Sequence, residues 1–386
     1  MGDGLGQLLT IDNVGSLNFG AGAALKCATD LRERGARSVF LVTTPPTLSL
    51  CSPLIEALKE AGCRVTIWDA MAGEPTIPEF LDALAVARDS AIDAVIGIGG
   101  GSAMDVAKLV AALADGQQRI EDAIGVDRLA GRALWVGCIP TTAGTGSEVT
   151  PIAILGDEDA DLKKGVVSRH LVPDAAYLDP LLTVSMPKVV TASTGLDALT
   201  HCIEAYANTF AHPLVDVFAL AGIRLIAGAL ERAFEDGADL EARGAMMRAS
   251  LYGGLCLGPV NTAAVHALAY PLGGEFHIAH GMANALLLPH VLRFNLEAAP
   301  GRYADIARAL GVTDSGDDLK DAEAGIERVV SLSERCGIKP GMRHFGIERS
   351  DIPHMASAAI TVTRLLERNL RVVTEADAVG IYEAAW

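Results

Sequence analysis

Between residues 38 and 142 the chain alternates short, β-branched apolar runs with stretches of helical periodicity. The runs "SVFLVTT" (38–44), "RVTIWD" (64–69), "DAVIGIGG" (93–100) and "LWVGCIPTT" (134–142) predict strands. Between them, "SPLIEALKEAG" (52–62), "IPEFLDALAVARDS" (77–90) and "SAMDVAKLVAALAD" (102–115) predict helices, the first closed by glycine and the second opened by proline. Such alternation predicts a mostly parallel sheet covered by helices. From about Val184 onward strand signals nearly vanish. "TGLDALTHCIEAYANTF", "PLVDVFALAGIRLIAGALERAFE", "EARGAMMRASLYGGLCLG" and "ANALLLPHVLRFNLEA" all carry the helical period. The reading is therefore an α/β domain over 1–183 and an all-helical domain over 184–386. No linker rich in Gly, Ser or Pro separates them, so the two halves are expected to pack with a cleft between them.

Composition narrows the function classes. The chain has 386 residues, half of them apolar and a fifth charged, which fits a two-domain globular protein with a large core. A net charge of −17 argues against nucleic acid and against anionic membrane surfaces. The seven cysteines are scattered, odd in number and without a CxxC, which reads as reduced thiols in a cytoplasmic protein. The opening "MGDGLGQLLTIDNVG" lacks the basic and apolar regions of a secretory leader. No unbroken apolar run reaches ~18 residues, so no membrane span is expected.

Two loops carry candidate binding chemistry. "AVIGIGGGSAMDVAK" sets Gly97, Gly99, Gly100 and Gly101 between a buried strand and a helix starting at Ser102. Glycines let the backbone approach a ligand, and the free N–H groups of the helix start favour phosphate. The spacing departs from the GxGxxG fingerprint, so this loop reads equally as a plain strand-to-helix turn. A second loop, "PTTAGTGSEVT" (140–150), offers the hydroxyls of Thr141, Thr142, Thr145 and Ser147 among glycines. Both loops follow strands, the edge of an open α/β sheet where ligands bind.

A third constellation lies in the helical half. Asp197 and His201 stand four apart and share a helix face, as do His266 and Tyr270. His277 and His280 follow closely, His280 just before Gly281. Taken singly, these residues read as a hydrogen-bonded helical pair and a core histidine. Taken together, one carboxylate and three imidazoles make a catalytic-type divalent metal site without sulfur, a set that iron, zinc or nickel accepts. His170, His212, His290, His344 and His354 lack such partners and are read as surface or supporting residues.

The ordered segments "NFGAGA", "EPT", "GIGGGSAMDVAK", "PTTAGTGSEVT", "GLDALTHCIEAY", "HPLVDVFAL" and "HALAYPLGGEFHIAHGMANALLLP" resemble the iron-dependent (group III) alcohol dehydrogenases over nearly the whole chain. The resemblance implies the architecture shared with dehydroquinate synthase: an α/β dinucleotide-binding domain and an all-α domain, with the active site between them. It implies Asp197, His201, His266 and His280 as ligands of a divalent metal, foremost Fe(II). It implies Gly99, Gly100, Gly101, Ser102, Asp105, Thr141, Thr142 and Lys163 at NAD or NADP, and a homodimer or larger assembly. The implied reaction is reversible hydride transfer between a small alcohol and the nicotinamide. His277 is the candidate proton relay, and Tyr270 the candidate for orienting the substrate.

Three departures from the family pattern stand out. Relatives often carry histidine where this chain has Tyr270. NAD-preferring relatives commonly carry Asp where Thr44 ends "LVTT", so NADP stays open, although "TTPPTLSL" offers no arginine to claim its phosphate. Glu74 stands where asparagine is frequent. Same-fold alternatives are maleylacetate reductase-like and glycerol dehydrogenase-like enzymes. Alternatives of another class are a dehydroquinate synthase-like lyase, which would need a basic cluster beside the histidines, and a non-catalytic binding protein.

Overall fold

The computed structural model describes residues 8–71, 73–157 and 162–386. The first seven residues, part of the stretch read as lacking a leader, lie outside them. Chain contacts divide the molecule into two units, one holding residues 12–142 and 146–185, the other 186–386 with the pieces up to Ile11 and Ala143–Thr145.

The first unit contains β1 (Ser16–Phe19), β2 (Ser38–Val42), β3 (Arg64–Trp68), β4 (Ala94–Gly99), β5 (Gly125–Val126), β6 (Trp135–Pro140), β7 (Ile152–Asp157), β8 (Leu162–Val167) and β9 (Ala175–Leu178). Its helices are α1 (Ala23–Glu33), α2 (Ser52–Glu60), α3 (Ile77–Asp89), α4 (Gly101–Leu113) and the single turn α5 (Ile120–Ala123). Six strands form one parallel sheet in the order β1-β9-β6-β4-β2-β3. The remaining three form a small sheet β5-β8-β7, with β7 and β8 antiparallel.

Alternation along β2 shows why helices must cover both faces. Val39 and Leu41 pack with α1 and α2, whereas Phe40 and Val42 pack with α3 and α4. All four side chains are fully buried, as expected for a parallel sheet. The chain runs from β2 outward to β3, then returns to β4 on the other side of β2. The C-terminal ends of β2 and β4 thus flank a topological switch point, where ligands of such sheets bind.

The predicted strands run one or two residues too far at their C-terminal ends. β2 stops at Val42 and β6 at Pro140, so Thr43, Thr44, Thr141 and Thr142 begin loops; α4 starts at Gly101 and not at Ser102. The five strands β1, β5, β7, β8 and β9 were not predicted.

The second unit is helical: α6 (Lys188–Tyr206), α7 (Pro213–Glu235), α8 (Leu240–Leu257), α9 (Ala264–Gly274), α10 (His280–Asn295), α11 (Pro300–Ala309), α12 (Asp318–Arg335), α13 (Ile352–Ile360), α14 (Thr363–Leu366) and α15 (Glu375–Ala385). Helix α6 is its axis, contacted by α7, α8, α9 and α10 and buried nearly all round. Glycines make this close approach possible. A Cβ at Gly253 would come 3.1 Å from His201 Cβ, and one at Gly222 would come 2.5 Å from Cys202 Sγ. Helix α7 is long and apolar enough to cross a membrane by length and composition. Its buried residues recur every three or four positions, from Val215 and Ala219 to Leu230 and Ala233, as for a helix packed on one side. His212, read as a surface or supporting residue, is buried and caps α7 by accepting from the Leu214 N–H.

The "PLGG" segment forms the helical last turn of α9, and the bend between His266 and His280 follows at 275–279, where His277 takes φ +53°.

Candidate metal centre and dinucleotide site

Over residues 195–205 helix α6 carries polar residues at 197, 200, 201 and 204 among buried apolar ones. Thr200 satisfies itself by donating to the Leu196 carbonyl. The other three, Asp197, His201 and Glu204, fall on one stripe because 3.6 residues make a turn. They need partners, since buried polar groups without them are costly.

Asp197 Oδ1 is the point of convergence. It lies 3.7 Å from His201 Nε2, 3.7 Å from His266 Nε2 and 3.6 Å from His280 Nε2. The four ligand atoms all lie within 4.8 Å of one another. A four-coordinate ion with bonds of ~2.0–2.2 Å holds its ligands about 3.3–3.6 Å apart, so the distances to Asp197 suit one ion after slight contraction. Asp197, His201 and His266 are buried and His280 is partly exposed, an arrangement closed on one side only.

The rings are oriented from behind. His266 Nδ1 donates to Glu204 Oε2 at 2.6 Å, and Glu204 Oε1 accepts the Val265 N–H at 2.6 Å. Glu204 therefore caps the start of α9 and fixes the His266 tautomer, leaving Nε2 with its lone pair inward. His201 Nδ1 lies 3.2 Å from the Gly144 carbonyl, which sets its Nε2 in the same way. His201 and His266 stack, with ring centroids 4.8 Å apart. His280 opens α10, and Gly281 lets that helix press on α6. A Cβ there would collide with the Ser193 carbonyl oxygen and come 3.2 Å from Asp197 Cβ.

Protonation matches a metal-binding set. Burial pushes the His201 imidazole below its ordinary value, against the opposing pull of Asp197. Burial alone would raise Asp197, but His201, His280, His266 and the Asn284 amide hold it below the ordinary carboxylate range. A neutral imidazole and an ionised carboxylate are the forms that bind a cation.

Sequence reasoning missed Glu204 and Asn284. Asn284 stands one turn after His280, and its Nδ2 donates to Asp197 Oδ1 at 2.7 Å. In both cases the signal was spacing from a ligand: i+3 from His201 and i+4 from His280. Of the two catalytic candidates, Tyr270 is half-buried on α9 one turn after His266, and His277 is exposed on the bend after α9.

Most dinucleotide candidates lie where the strands end; Asp105 lies on α4 and Lys163 within β8. Gly97 and Gly99 serve packing: a Cβ would come 2.8 Å from Ala107 Cβ at Gly97 and 2.8 Å from Ala103 Cβ at Gly99, whose φ is +156°. Gly100 is different. A Cβ there would meet only Thr142 side-chain atoms, at 3.7 Å or more, so its backbone faces room for a ligand. Gly101 and Ser102 form the first turn of α4. Thr141 Oγ1 is buried and meets no hydrogen-bond partner among the described residues. Thr142 and Thr145 are partly buried in the same loop. Thr44 belongs to a hydroxyl cluster after β2, with its Oγ1 2.8 Å from Thr47 Oγ1.

Two candidates are held by protein partners. Asp105 accepts from Ser147 Oγ at 2.5 Å and the Ile154 N–H at 3.0 Å, and pairs with Lys108 at 3.0 Å. Lys108, fully buried, also donates to the Ser147 and Ile152 carbonyls, so this pair ties down the segment 147–154. Lys163 pairs with both oxygens of Glu74, at 2.6 and 2.8 Å.

Comparison with known proteins adds an independent line. The family model described as iron-containing alcohol dehydrogenase matches residues 15–180, and that described as Fe-containing alcohol dehydrogenase family, C-terminal, matches residues 191–386. The chain is 40% identical over 377 residues to long-chain-alcohol dehydrogenase 1 of Geobacillus thermodenitrificans, covering 96% of this chain and 94% of the relative. A crystal structure of a 1,3-propanediol oxidoreductase superposes with TM-score 0.95 at 34% identity, covering 98% of this chain and all of the other. The sulfoacetaldehyde reductase from Bifidobacterium kashiwanohense, solved with NAD+, gives TM-score 0.88 at 28% identity, covering 98% of this chain and 99% of the other.

Proposed function

The chain belongs to the iron-containing alcohol dehydrogenase family, and from that premise we propose which of its residues perform the hydride transfer between alcohol and carbonyl that makes it an oxidoreductase. The observation that carries the proposal is the convergence of Asp197, His201, His266 and His280 on one point. These four are assigned as ligands of a divalent ion, Fe(II) foremost, with Zn(II) and Ni(II) compatible with the same donors. A bound ion supplies Lewis acidity toward an alcohol or carbonyl oxygen, and a nicotinamide supplies or accepts the hydride.

The protein's own part is placement. Glu204 and Gly144 hold two imidazoles in the tautomer that turns Nε2 inward. Gly99, Gly100, Gly101 and Ser102 offer backbone to the dinucleotide phosphates, where the positive end of α4 favours negative charge. Thr141, Thr142 and Thr145 offer hydroxyls to the ribose or the nicotinamide amide, and the partnerless Thr141 Oγ1 supports this. Asp105 acts through the loop that it pins with Lys108. Lys163 is assigned to the cofactor as a cation already shared with Glu74.

Thr44 and Thr47 offer hydroxyls, neither a carboxylate that would repel nor an arginine that would attract a 2′-phosphate, so both NAD and NADP are candidates. For the proton released on alcohol oxidation, His277 is assigned as the relay, because imidazole changes charge near neutral pH. Tyr270, whose phenol ordinarily ionises near ~10, is assigned to orienting the substrate.

The net charge of −17 supports a small-molecule enzyme that binds neither nucleic acid nor anionic membrane. The seven cysteines are all free and buried, which supports a cytoplasmic location. A homodimer or larger homo-oligomer is proposed.

The test uses protein purified without oxygen, stripped with chelator, and reloaded with Fe(II), Zn(II) or Ni(II). Nicotinamide absorbance is followed with NADH and NADPH against aldehydes and ketones of short and long chain. Turnover restored by a divalent ion is the expected result; the absence of turnover with every ion and substrate would remove the reading.

A further inference from the structure

The pair formed by Glu74 and Lys163 stands near the helix start assigned to phosphate, and backbone contacts trace the path between them. Strand β7 is an outer strand of the small sheet. On its outer edge the Ile154 N–H donates to Asp105, near the start of α4, and the Gly156 N–H donates to the Pro75 carbonyl. Two residues of strand span about 7 Å. Thr76 bridges to Gly156 on the same edge, so the segment after β3 that carries Glu74 runs beside β7. On its other edge β7 pairs with β8, where Lys163 is the register partner of Gly156. Glu74 and Lys163 thus meet across β7, a short step along the strand from its tie to α4.

The pair is close and unequally exposed. Lys163 Nζ lies 2.6 Å from Glu74 Oε2 and 2.8 Å from Glu74 Oε1, so both carboxylate oxygens face one ammonium. The lysine side chain is 8% exposed and the glutamate 44%. A cation so far from water needs a matching charge, and Glu74 supplies it from the solvent side. The neighbouring charges are matched elsewhere. Lys164 pairs with Asp157 at 2.9 Å, and Glu79 accepts the Thr76 N–H at the cap of α3. An anionic ligand that engages Lys163 therefore meets a carboxylate already in place. It must share the ammonium with Glu74 or displace it.

We propose that Glu74 is a specificity-determining residue for the dinucleotide. Its carboxylate competes with the ligand's phosphates for Lys163, which lowers the affinity for both nicotinamide dinucleotides and lowers it more for NADP(H) than for NAD(H). This rests on the reading of Lys163 as a cofactor contact. The 2′-phosphate of NADP(H) is a phosphate monoester, which adds about −1.5 to −2 at neutral pH and so roughly doubles the charge of the pyrophosphate. Repulsion by a fixed carboxylate grows with the charge of the ligand. A neutral side chain at position 74 would keep the place filled and lift that repulsion.

Four variants of the full-length protein test this, with dissociation constants for NADH and NADPH read by nicotinamide fluorescence at low and at higher salt. Glu74→Gln keeps the shape and removes the charge. Its NADH affinity should rise about 3–10-fold and its NADPH affinity by a larger factor, with both gains shrinking as salt is added. Glu74→Asn, shorter and also neutral, should move both affinities in the same direction and serves if Gln fails to fold. Asp157→Asn removes an equal charge from the neighbouring Lys164 pair and should change either affinity by less than about twofold. Lys163→Met should weaken both dinucleotides. Affinities within about twofold of the unaltered protein in both Gln and Asn would overturn the proposal, as would equal gains for NADH and NADPH, or gains as large in Asp157→Asn. If Lys163→Met binds NADH as the unaltered protein does, Lys163 is not a cofactor contact and this inference goes with it. If the unaltered protein binds neither dinucleotide, the dinucleotide reading itself fails.

Discussion

Two buried ionisable residues next to the proposed dinucleotide loops, Lys108 and Glu148, are settled by opposite means. Lys108 keeps its charge by pairing with Asp105 and donating to Ser147 and Ile152. Glu148 has no such match. Its Oε2 meets no hydrogen-bond partner among the described residues, and burial pushes its carboxyl from an ordinary 4.5 up to about 7, against the pull of its own backbone N–H and of Lys108. A raised acid binds more protons folded than unfolded, so stability falls as pH rises from the unfolded value toward the folded one. The cost is absent below pH ~4.5 and complete above pH ~7, with a ceiling of about 3 kcal/mol. Glu148→Gln should therefore stabilise the protein by roughly 1–3 kcal/mol at pH 8 and by nearly nothing at pH 4.5. Denaturant titration at the two pH values checks it; an equal gain at both would contradict the assignment.

At the same scale, the four proposed ligands could be read from the sequence because histidines are few and three of the four stand in helical i,i+4 pairs. Glu204 and Asn284 carried only their spacing from those residues as a signal. Glutamate and asparagine are common on exposed helix faces, and only burial shows that these two are turned inward.

Among the elements, the proposed metal centre depends on how closely α10 approaches α6. Gly281 is the contact residue, with Ser193 backbone and Asp197 Cβ where its side chain would be. Gly281→Ala must push the start of α10 outward and carry His280 away from Asp197. The expected result is a loss of about 1–3 kcal/mol in stability together with a clear loss of Zn(II) affinity. Stability and affinity both unchanged would show that the two helices have slack. The contact could not be foreseen from "HIAHGMANA", because a glycine beside a histidine reads first as a turn. Element type was legible where runs were long. The strands β1, β5 and β9 span only four, two and four residues, too short for alternation to show. β1 also finds its parallel partner β9 more than a hundred residues away, a pairing no local pattern announces.

For the molecule as a whole, the switch from strand–helix alternation to uninterrupted helix was plain in the sequence, because the hydrophobic period itself changes. The exchange of short pieces was not. Ala143–Thr145 sits in the α/β half of the sequence but belongs to the helical unit, and Gly144 supplies the carbonyl behind His201. A loop read as a dinucleotide element thus also supports a proposed metal ligand, so the proposed chemistry draws on residues from both halves of the sequence. The most direct test of that account compares the unaltered protein with His280→Ala, each purified without oxygen. Metal content, dinucleotide binding and turnover are measured on the same sample. The account predicts one divalent ion per chain and turnover in the first, and loss of both with dinucleotide binding retained in the second. Full turnover by metal-free His280→Ala would contradict it.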